Sequence, residues 1–598
     1  MVNLFKDKLL LIFFALFVFN AKFFLITQYG NATPYWDQWN AEAELLYKPY
    51  LEGNLSWSSL LAPHNEHRIF TTRILALGLL ELNGSWNPLL QMVVNAVIHV
   101  VALGLIIILL LRVIGRQHLP LLLAFAALLF SVPYAWENTL AGFQSQFYFV
   151  LIFGVLCLWL LITAAPLSLK WWAGMLAGLL AFLSLASGLF AVVAALCVML
   201  FQYALGVRRN YFQLLGVLLL SIFVYFAFPL TPVIEHHAAL KAHSLDQFIQ
   251  ALEQVLTWPV ESSRLLGGLL YLPALIFGIM MMVQRPPVTD KRWFLLTVVV
   301  WCVGQCVSLA YGRAIVPTSS RYLDLVAIGL LINFAIVLLF VGMIEGKGRY
   351  LARLLGLGWV VIVVTGLAGM YSAIEAQLVN KQALSRIQES HVRAYVCDGG
   401  AQHLQNKPFL HIPYWDPKGL QQLLDDEAIR KILPGNIYIG NSDTPIALDG
   451  APFCPPGKLV NSYSIQSWSG ETSAITVGST DVRADSWRGS DYLMSQLNGL
   501  RIIGSLVASE NDTGYVVVRV RWGDRLLYRT GPRVNKQAIL VGAGGVGEFY
   551  ADAPFSSEWS LIIFDSPRLP AEFDVVFIDA GTGWGEWSAI GLKQVKSE

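Results

Sequence analysis

The chain has 598 residues, of which 56% are hydrophobic, 14% charged and 12% aromatic, and its net charge is +1. A typical soluble chain is about 25% charged. The composition excludes a wholly soluble globular protein, a disordered chain and a nucleic-acid binder with a large basic excess. It describes a polytopic α-helical membrane protein.

Eleven apolar runs approach the roughly 20 residues that a bilayer-spanning helix needs. They cover residues 9–25, 89–111, 119–132, 147–162, 171–185, 187–205, 214–228, 265–283, 294–309, 325–341 and 354–370. The fifth and sixth are joined by little more than Ala186-Ser187-Gly188, so they read as two spans or as one re-entrant hairpin. The first run has a basic start at Lys6 and Lys8, but only Thr27-Gln28-Tyr29 follows it, with no small-x-small cleavage site. It reads as a retained anchor.

Lys and Arg in the short loops set the orientation. One side carries Lys6, Lys8, Arg112, Arg116, Lys170, Arg208, Arg209, Arg285, Lys291, Arg292, Lys347, Arg349 and Arg353. The other carries Lys48, Arg68, Arg73, Lys241, Arg264, Arg313 and Arg321. The bias places the N-terminus in the cytoplasm and, with eleven spans, the region after residue 371 outside. We take the membrane to be a bacterial inner membrane and the outer compartment its periplasm or exterior. The outward basic residues run against the trend, and such exceptions can mark where an anion binds.

The first outer loop, residues 27–87, is long. It opens with Tyr35-Trp36-Asp37-Gln38-Trp39 and continues to His64-Asn65-Glu66-His67-Arg68. Residues 41–51 and 69–82 read as amphipathic helices that lie on the membrane surface. Trp36 and Trp39 suit the interface, where aromatic rings anchor, so Asp37 is expected at the outer membrane–water boundary. The bland reading of Asp37 is a helix N-cap or a solvated acid. His64, Glu66 and His67 lack the His-Glu-x-x-His spacing of a zinc protease; they read as sugar or phosphate ligands, or as contributors to a metal site.

In the second outer loop, Glu137 of Trp136-Glu137-Asn138 is the only acid between Glu81 and Glu235. An isolated acid at membrane depth is a functional candidate by default; its alternative is a solvated interfacial Glu. The fourth outer loop, with Glu235-His236-His237 and His243, reads as a polar loop or a lid. The fifth outer loop holds Tyr311-Gly312-Arg313 and Ser319-Ser320-Arg321-Tyr322-Leu323-Asp324. Two arginines there can grip a phosphate by paired hydrogen bonds, or anchor a headgroup, or pair with Asp324.

Beyond residue 371 the composition changes. We read residues 372–435 as a helical linker, with helical stretches at 374–389 and 419–433, and 436–598 as an exported β-sandwich or jelly roll. From Ala373 onward there are 20 Lys and Arg against 25 Asp and Glu, a net −5; subtracted from 41 and 40 overall, 21 and 15 remain before it, a net +6. The near-neutral whole is a basic membrane part joined to an acidic tail. Gly542-Ala543-Gly544-Gly545-Val546-Gly547 lacks a surrounding βαβ unit and reads as a turn, not a dinucleotide fingerprint. Cys397 and Cys454 are the only tail cysteines, and an oxidising compartment would let them pair.

The pattern over residues 1–371 resembles the GT-C glycosyltransferases. The resemblance rests on a first helix followed by a long outer loop, on Asp37 near that loop's start, and on Arg321-Tyr322 in a late outer loop. It implies transfer of a sugar, with inversion, from a polyprenyl-phosphate-linked donor to an extracytoplasmic glycan or lipid acceptor. By the same resemblance Asp37 is the general base, Arg313 and Arg321 hold the donor phosphate, and Glu137, as a second catalytic residue, with His64 or His67 orients the acceptor or supports the base. Trp36, Trp39, Glu66, Arg68 and Tyr322 complete the expected site. The chain departs from those members that carry an Asp-x-Asp or Asp-Glu pair, because Gln38 and Trp39 follow Asp37; a divalent cation, Mg or Mn, stays open as a cofactor. The alternatives are a flippase or transporter for a lipid-linked glycan, an O-antigen polymerase or ligase, and a non-catalytic surface-assembly protein. Absence of an internal repeat counts against a transporter.

Overall fold

The computed structural model describes residues 2–435 apart from 231, 233, 261 and 262, and beyond them Ile437, twelve strands, Gly531, Gly585 and Trp587. All eleven apolar runs form helix, as expected of a polytopic α-helical protein. Among the described residues, nine helices are long and apolar enough to cross a membrane. Leu169–Ser184 and Leu214–Leu230 are shorter apolar helices. A helix rises about 1.5 Å per residue, so the 16 residues of Leu169–Ser184 fall short of a hydrocarbon core about 30 Å thick. The expected count of eleven full spans is therefore nine long helices and two short ones.

The chain divides into two compact units, Met1–Lys381 and Gln382–Glu598. In the first, the helices share one continuous apolar core running from Phe14 to Leu378. Leu169–Ser184 packs closely on Ser145–Thr163 because Gly174 and Gly178 present no side chain. A Cβ at Gly174 would stand 3.0 Å from Leu160, and one at Gly178 3.1 Å from Cys157. Small residues four apart are how apolar helices pack where no hydrophobic force separates protein from lipid. A 3-10 turn, Ala186–Gly188, carries the chain straight into the next helix, Leu189–Ala204.

The first outer loop differs from its expected form. Gln38–Tyr47 is wound as a π-helix, with the Lys48 amide donating to the Ala43 carbonyl. It does not lie on the surface: Gln38, Trp39, Ala41, Glu42, Ala43, Leu46 and Tyr47 are buried. Phe70–Asn83 is the helix expected at 69–82, ended by Gly84 in the left-handed region.

The expected helix at 374–389 has no start of its own. It continues the last apolar run in a single helix, Lys347–Asp398. In the second unit, helices Pro417–Asp425 and Glu427–Ile432 are each capped by an aspartate, Asp416 and Asp426. Twelve strands follow. One five-stranded sheet orders Ser560–Ile563, Arg525–Thr530, Ser588–Leu592, Arg501–Gly504 and Ala484–Ser486. The other orders Lys458–Ser464, Gly514–Arg521, Glu572–Asp579, Gln537–Ala543 and Val546–Tyr550. Val516, Val518, Val520, Phe573, Val575 and Phe577 alternate along two neighbouring strands and are buried. Tyr528 of the first sheet lies 6.0 Å from Phe577 of the second, ring to ring, so the two sheets face one another. The glycine-rich segment joins two antiparallel strands, Ala543 opposite Val546, as a hairpin. The expected pairing of Cys397 with Cys454 lies outside the residues whose side chains are described.

Candidate functional site

Residues from four separated segments meet at one end of the helical unit. The first is the start of the outer loop. Trp36 has φ +51°, a left-handed backbone that a bulky side chain seldom adopts and that costs about 1–3 kcal/mol. The turn is held by Gln38, whose Oε1 accepts from the Tyr35 amide at 3.1 Å. Asp37 sits between them. Its side chain is 34% exposed, and Oδ1 stands 3.6 Å from Nε2 of His64. Burial raises the Asp37 carboxyl, but His64 and then Arg321 outweigh it and hold it below the ordinary carboxylate range. Asp37 is thus ionised at neutral pH.

The second segment is a tight bend. His64 and His67 exchange backbone hydrogen bonds of 2.7 and 3.0 Å, with Asn65 at φ +51°. His64 is buried against Phe143, ring edge to ring face. Burial lowers His67 to about 4, so it is neutral at physiological pH. Glu66 points to the fifth outer loop. Its carboxylate accepts from both terminal nitrogens of Arg313, at 3.2 and 3.3 Å, and stands 2.6 Å from Nδ1 of His237. Burial raises Glu66, yet Arg313 and His237 together bring it down to about 2.

The third and fourth segments form a clasp. Glu137 accepts from the Arg321 guanidinium at 3.3 Å, the Arg321 amide at 3.1 Å and the Ser319 hydroxyl at 3.2 Å. Arg321 remains 43% exposed and within electrostatic reach of Asp37. The expected Arg321–Asp324 pair does not form. Asp324 is buried and accepts from Asn138 instead.

The outward basic residues sort themselves by partner. The Arg73 side chain is buried and donates to the carbonyls of Ser59, Leu60 and Ala62, around the C-terminal end of helix Trp57–Leu61. Arg68 donates to the carbonyls of Leu61 and Leu230, so the expected ligand role gives way to a loop tie. Arg264 pairs with Glu253. Arg313 is closed by Glu66 and by the Tyr322 hydroxyl, which accepts at 3.1 Å. Of Arg68, Arg73, Arg313 and Arg321, Arg321 is the one within electrostatic reach of Asp37, and it keeps a large exposed surface.

Trp39 also departs from expectation. It is fully buried, donates to the Pro34 carbonyl at 2.8 Å and packs edge-on against Trp86, so it belongs to the core and cannot stack on a ligand.

Three residues escaped the sequence reading. Glu42 is buried and accepts from Gln38, Gln91 and Trp86. Burial pushes it up to about 7 against those three donors. A Cβ at Gly142 would lie 2.5 Å from Oε1 of Gln91, so glycine is required beside this network. Gln377 and Lys381 come from helix Lys347–Asp398. Gln377 accepts from the Trp136 indole at 2.9 Å, and the Lys381 ammonium lies 3.8 Å above the Tyr35 ring. Their four-residue spacing, one face of a helix, was the available signal.

Among the described residues no group of three or more His, Cys, Asp and Glu side chains is arranged to hold a metal ion. The donor set agrees with that geometry. Hard divalent cations want several free carboxylate oxygens, whereas Glu66 and Glu137 are each paired with an arginine.

No protein-family model matches the chain, and no curated protein matches it. It is similar to solved structures of the oligosaccharyltransferase of the archaeon Archaeoglobus fulgidus. One holds AglB in complex with an inhibitory peptide and a dolichol-phosphate; it is 12% identical, with a TM-score of 0.41, over 94% of this chain and 76% of that one. The other is tethered to an acceptor peptide containing the NVT sequon through a disulfide bond; it is 13% identical, with a TM-score of 0.40, over 77% of this chain and 62% of that one.

Proposed function

We propose that this protein is an integral membrane glycosyltransferase that moves a sugar from a polyprenyl-phosphate donor to a hydroxyl of an extracytoplasmic glycan or lipid. The observation that carries the reading is a part-exposed carboxylate, Asp37, within electrostatic reach of a part-exposed guanidinium, Arg321.

The chemistry needs those two groups. A sugar on a lipid phosphate has a leaving group that is already anionic, so it calls for positive charge and not for a general acid. Arg321 supplies that charge as the bond from the anomeric carbon to the phosphate oxygen breaks. The acceptor oxygen forms its bond to the same carbon, and its proton passes to Asp37. The products are the glycosylated acceptor and polyprenyl phosphate. No step is assigned to a metal. His64 keeps Asp37 ionised and oriented, while Glu137 holds Arg321. Arg313, closed by Glu66, ties the two loops together and leaves the phosphate to Arg321. The proposed setting is an inner membrane with this end of the bundle outward, where a donor whose tail stays in the bilayer can present its head.

The test is Asp37→Asn in membranes supplied with lipid-linked sugar. Transfer should fall by about 10²–10⁴-fold while expression and insertion persist. Normal transfer by that variant would remove Asp37 from the reaction.

A further inference from the structure

The interior of the bundle holds ionisable side chains that the proposed reaction does not use. Lys22 of helix Val2–Tyr29, His99 of Pro88–Ile114 and Asp324 of Leu323–Met343 are all buried. Nε2 of His99 lies 3.8 Å from Asp324. Ionisable side chains inside spans are costly and face the bundle interior where they are retained.

Their remaining bonds show what they hold. Lys22 donates to the Thr139 hydroxyl at 3.2 Å. Asn138 donates to Asp324 at 3.0 Å and, through the same nitrogen, to the Arg321 carbonyl at 2.9 Å. Lys22 and Asp324 therefore each grip one residue of the short helix Trp136–Thr139. The rest of that helix is fastened from above. The Glu137 amide donates to the Ser320 hydroxyl at 3.1 Å, and the Trp136 indole is bound to Gln377. The segment that carries Glu137 is thus bonded on two sides to the segment that carries Arg321.

We propose that buried Asp324, acting through Asn138, is a positioning device for Arg321. It fixes the 136–139 segment against 319–324, so that the guanidinium is held beside Asp37 without searching for its place. The inference deepens the reading of Arg321 as the phosphate ligand and rests on it for its function, though not for its geometry.

Two double variants of the full chain in nanodiscs separate positioning from simple stability. Lys22→Met with Asp324→Asn removes both ionisable groups but keeps a carbonyl oxygen for Asn138 to bond. Lys22→Met with Asp324→Leu removes both groups and the acceptor. Removing the two together avoids leaving one buried without the other. The readouts are the affinity for a long-chain polyprenyl monophosphate and the hydrogen exchange of the 319–324 amides.

The Leu variant should bind about tenfold more weakly, the order of one buried hydrogen bond lost, and should exchange faster at Arg321. The Asn variant should stay within about twofold of wild type in both. Equal behaviour of the two variants in exchange would overturn the proposal. If wild type and Arg321→Gln bind the probe equally, the phosphate reading fails, while the exchange difference still decides the positioning. Should the Leu variant not insert, Asn138→Leu carries the same test with Lys22 and Asp324 unchanged.

Discussion

Two acid–arginine pairs stand at this end of the molecule, and they differ in what they leave open. Glu66 and Arg313 are 15% and 16% exposed, and each has a further partner, His237 for the acid and Tyr322 for the base. Glu137 and Arg321 are 20% and 43% exposed, and the acid is saturated by the loop that bears its own arginine. The first pair consumes both charges in joining loops distant in sequence. The second consumes the carboxylate and presents the guanidinium. The same two residue types thus serve as a tie in one place and as a poised cation in the other. Partner count and exposure tell them apart where residue type cannot.

The largest effect that would break this contrast is on rate. Arg321→Gln should lower kcat about 10²–10³-fold, the scale of losing one preorganised donor at a developing charge. Arg313→Gln should cost less than about tenfold in transfer. A larger loss at Arg313 than at Arg321, measured with the same lipid-linked donor, would reverse the assignment.

Stability should show the opposite ranking. Arg313→Gln leaves the Glu66 carboxylate mostly buried with only His237 beside it. Breaking a buried pair from one side costs about 3–5 kcal/mol, and residual exposure here should bring it towards the lower end. Thermal unfolding in detergent should therefore show a clear drop in Tm. Adding Glu66→Gln should recover most of it. No recovery in the double variant would mean that Arg313 acts through something other than Glu66.

The pH dependence sharpens the same point. Glu66 is held at about 2 against an ordinary 4.5. A carboxyl lowered on folding contributes stability that is present above the unfolded value and lost as pH falls towards the folded one. Tm should accordingly fall between about pH 4.5 and 2 in the wild type. Glu66→Gln should fall less steeply over that window, and equal slopes would show that the pair does not govern it.

How much of this was legible in the sequence follows from the physics of each signal. Apolar runs announce helices because lipid demands them, and β-rich alternation announced strands such as Gly514–Arg521 and Glu572–Asp579. Asp37, His64, Glu66, Arg313 and Arg321 stood out because charge and histidine are rare in so apolar a chain, and they do come together. The partners were not legible. Nothing local says that Glu66 reaches Arg313 or that Arg68 and Arg73 spend their charge on backbone carbonyls, since those contacts join residues far apart or depend on where a helix ends. Trp39 read as an interfacial ring because its neighbours were aromatic, although the π-helix turns it into the core. Lys22 and Asp324 were hidden for a related reason. Lys22 lies inside the first apolar run and Asp324 just before the tenth, and neither position names its partner until the spans are packed.

The smallest expected effect concerns a third acid, whose described hydrogen-bond donors include no cation. Glu42 is surrounded by the amides of Gln38 and Gln91 and the indole of Trp86, all uncharged. Burial holds it at about 7, above its ordinary 4.5. A carboxyl raised on folding gives stability that is full below the unfolded value and is lost as pH rises through the folded one. Wild-type Tm should therefore decline between about pH 4.5 and 7, the reverse of the Glu66 effect. Glu42→Gln, neutral at every pH, should be close to wild type at pH 5 and more stable than wild type at pH 8, by about 1–2 kcal/mol. Because Gln38 bonds both Glu42 and the turn before Asp37, transfer by this variant should change less than twofold if charge on Glu42 is irrelevant to the base. A variant less stable than wild type at pH 8 would mean that the buried carboxylate is favoured as the anion, and would place Glu42 with Glu137 among acids whose charge the fold needs.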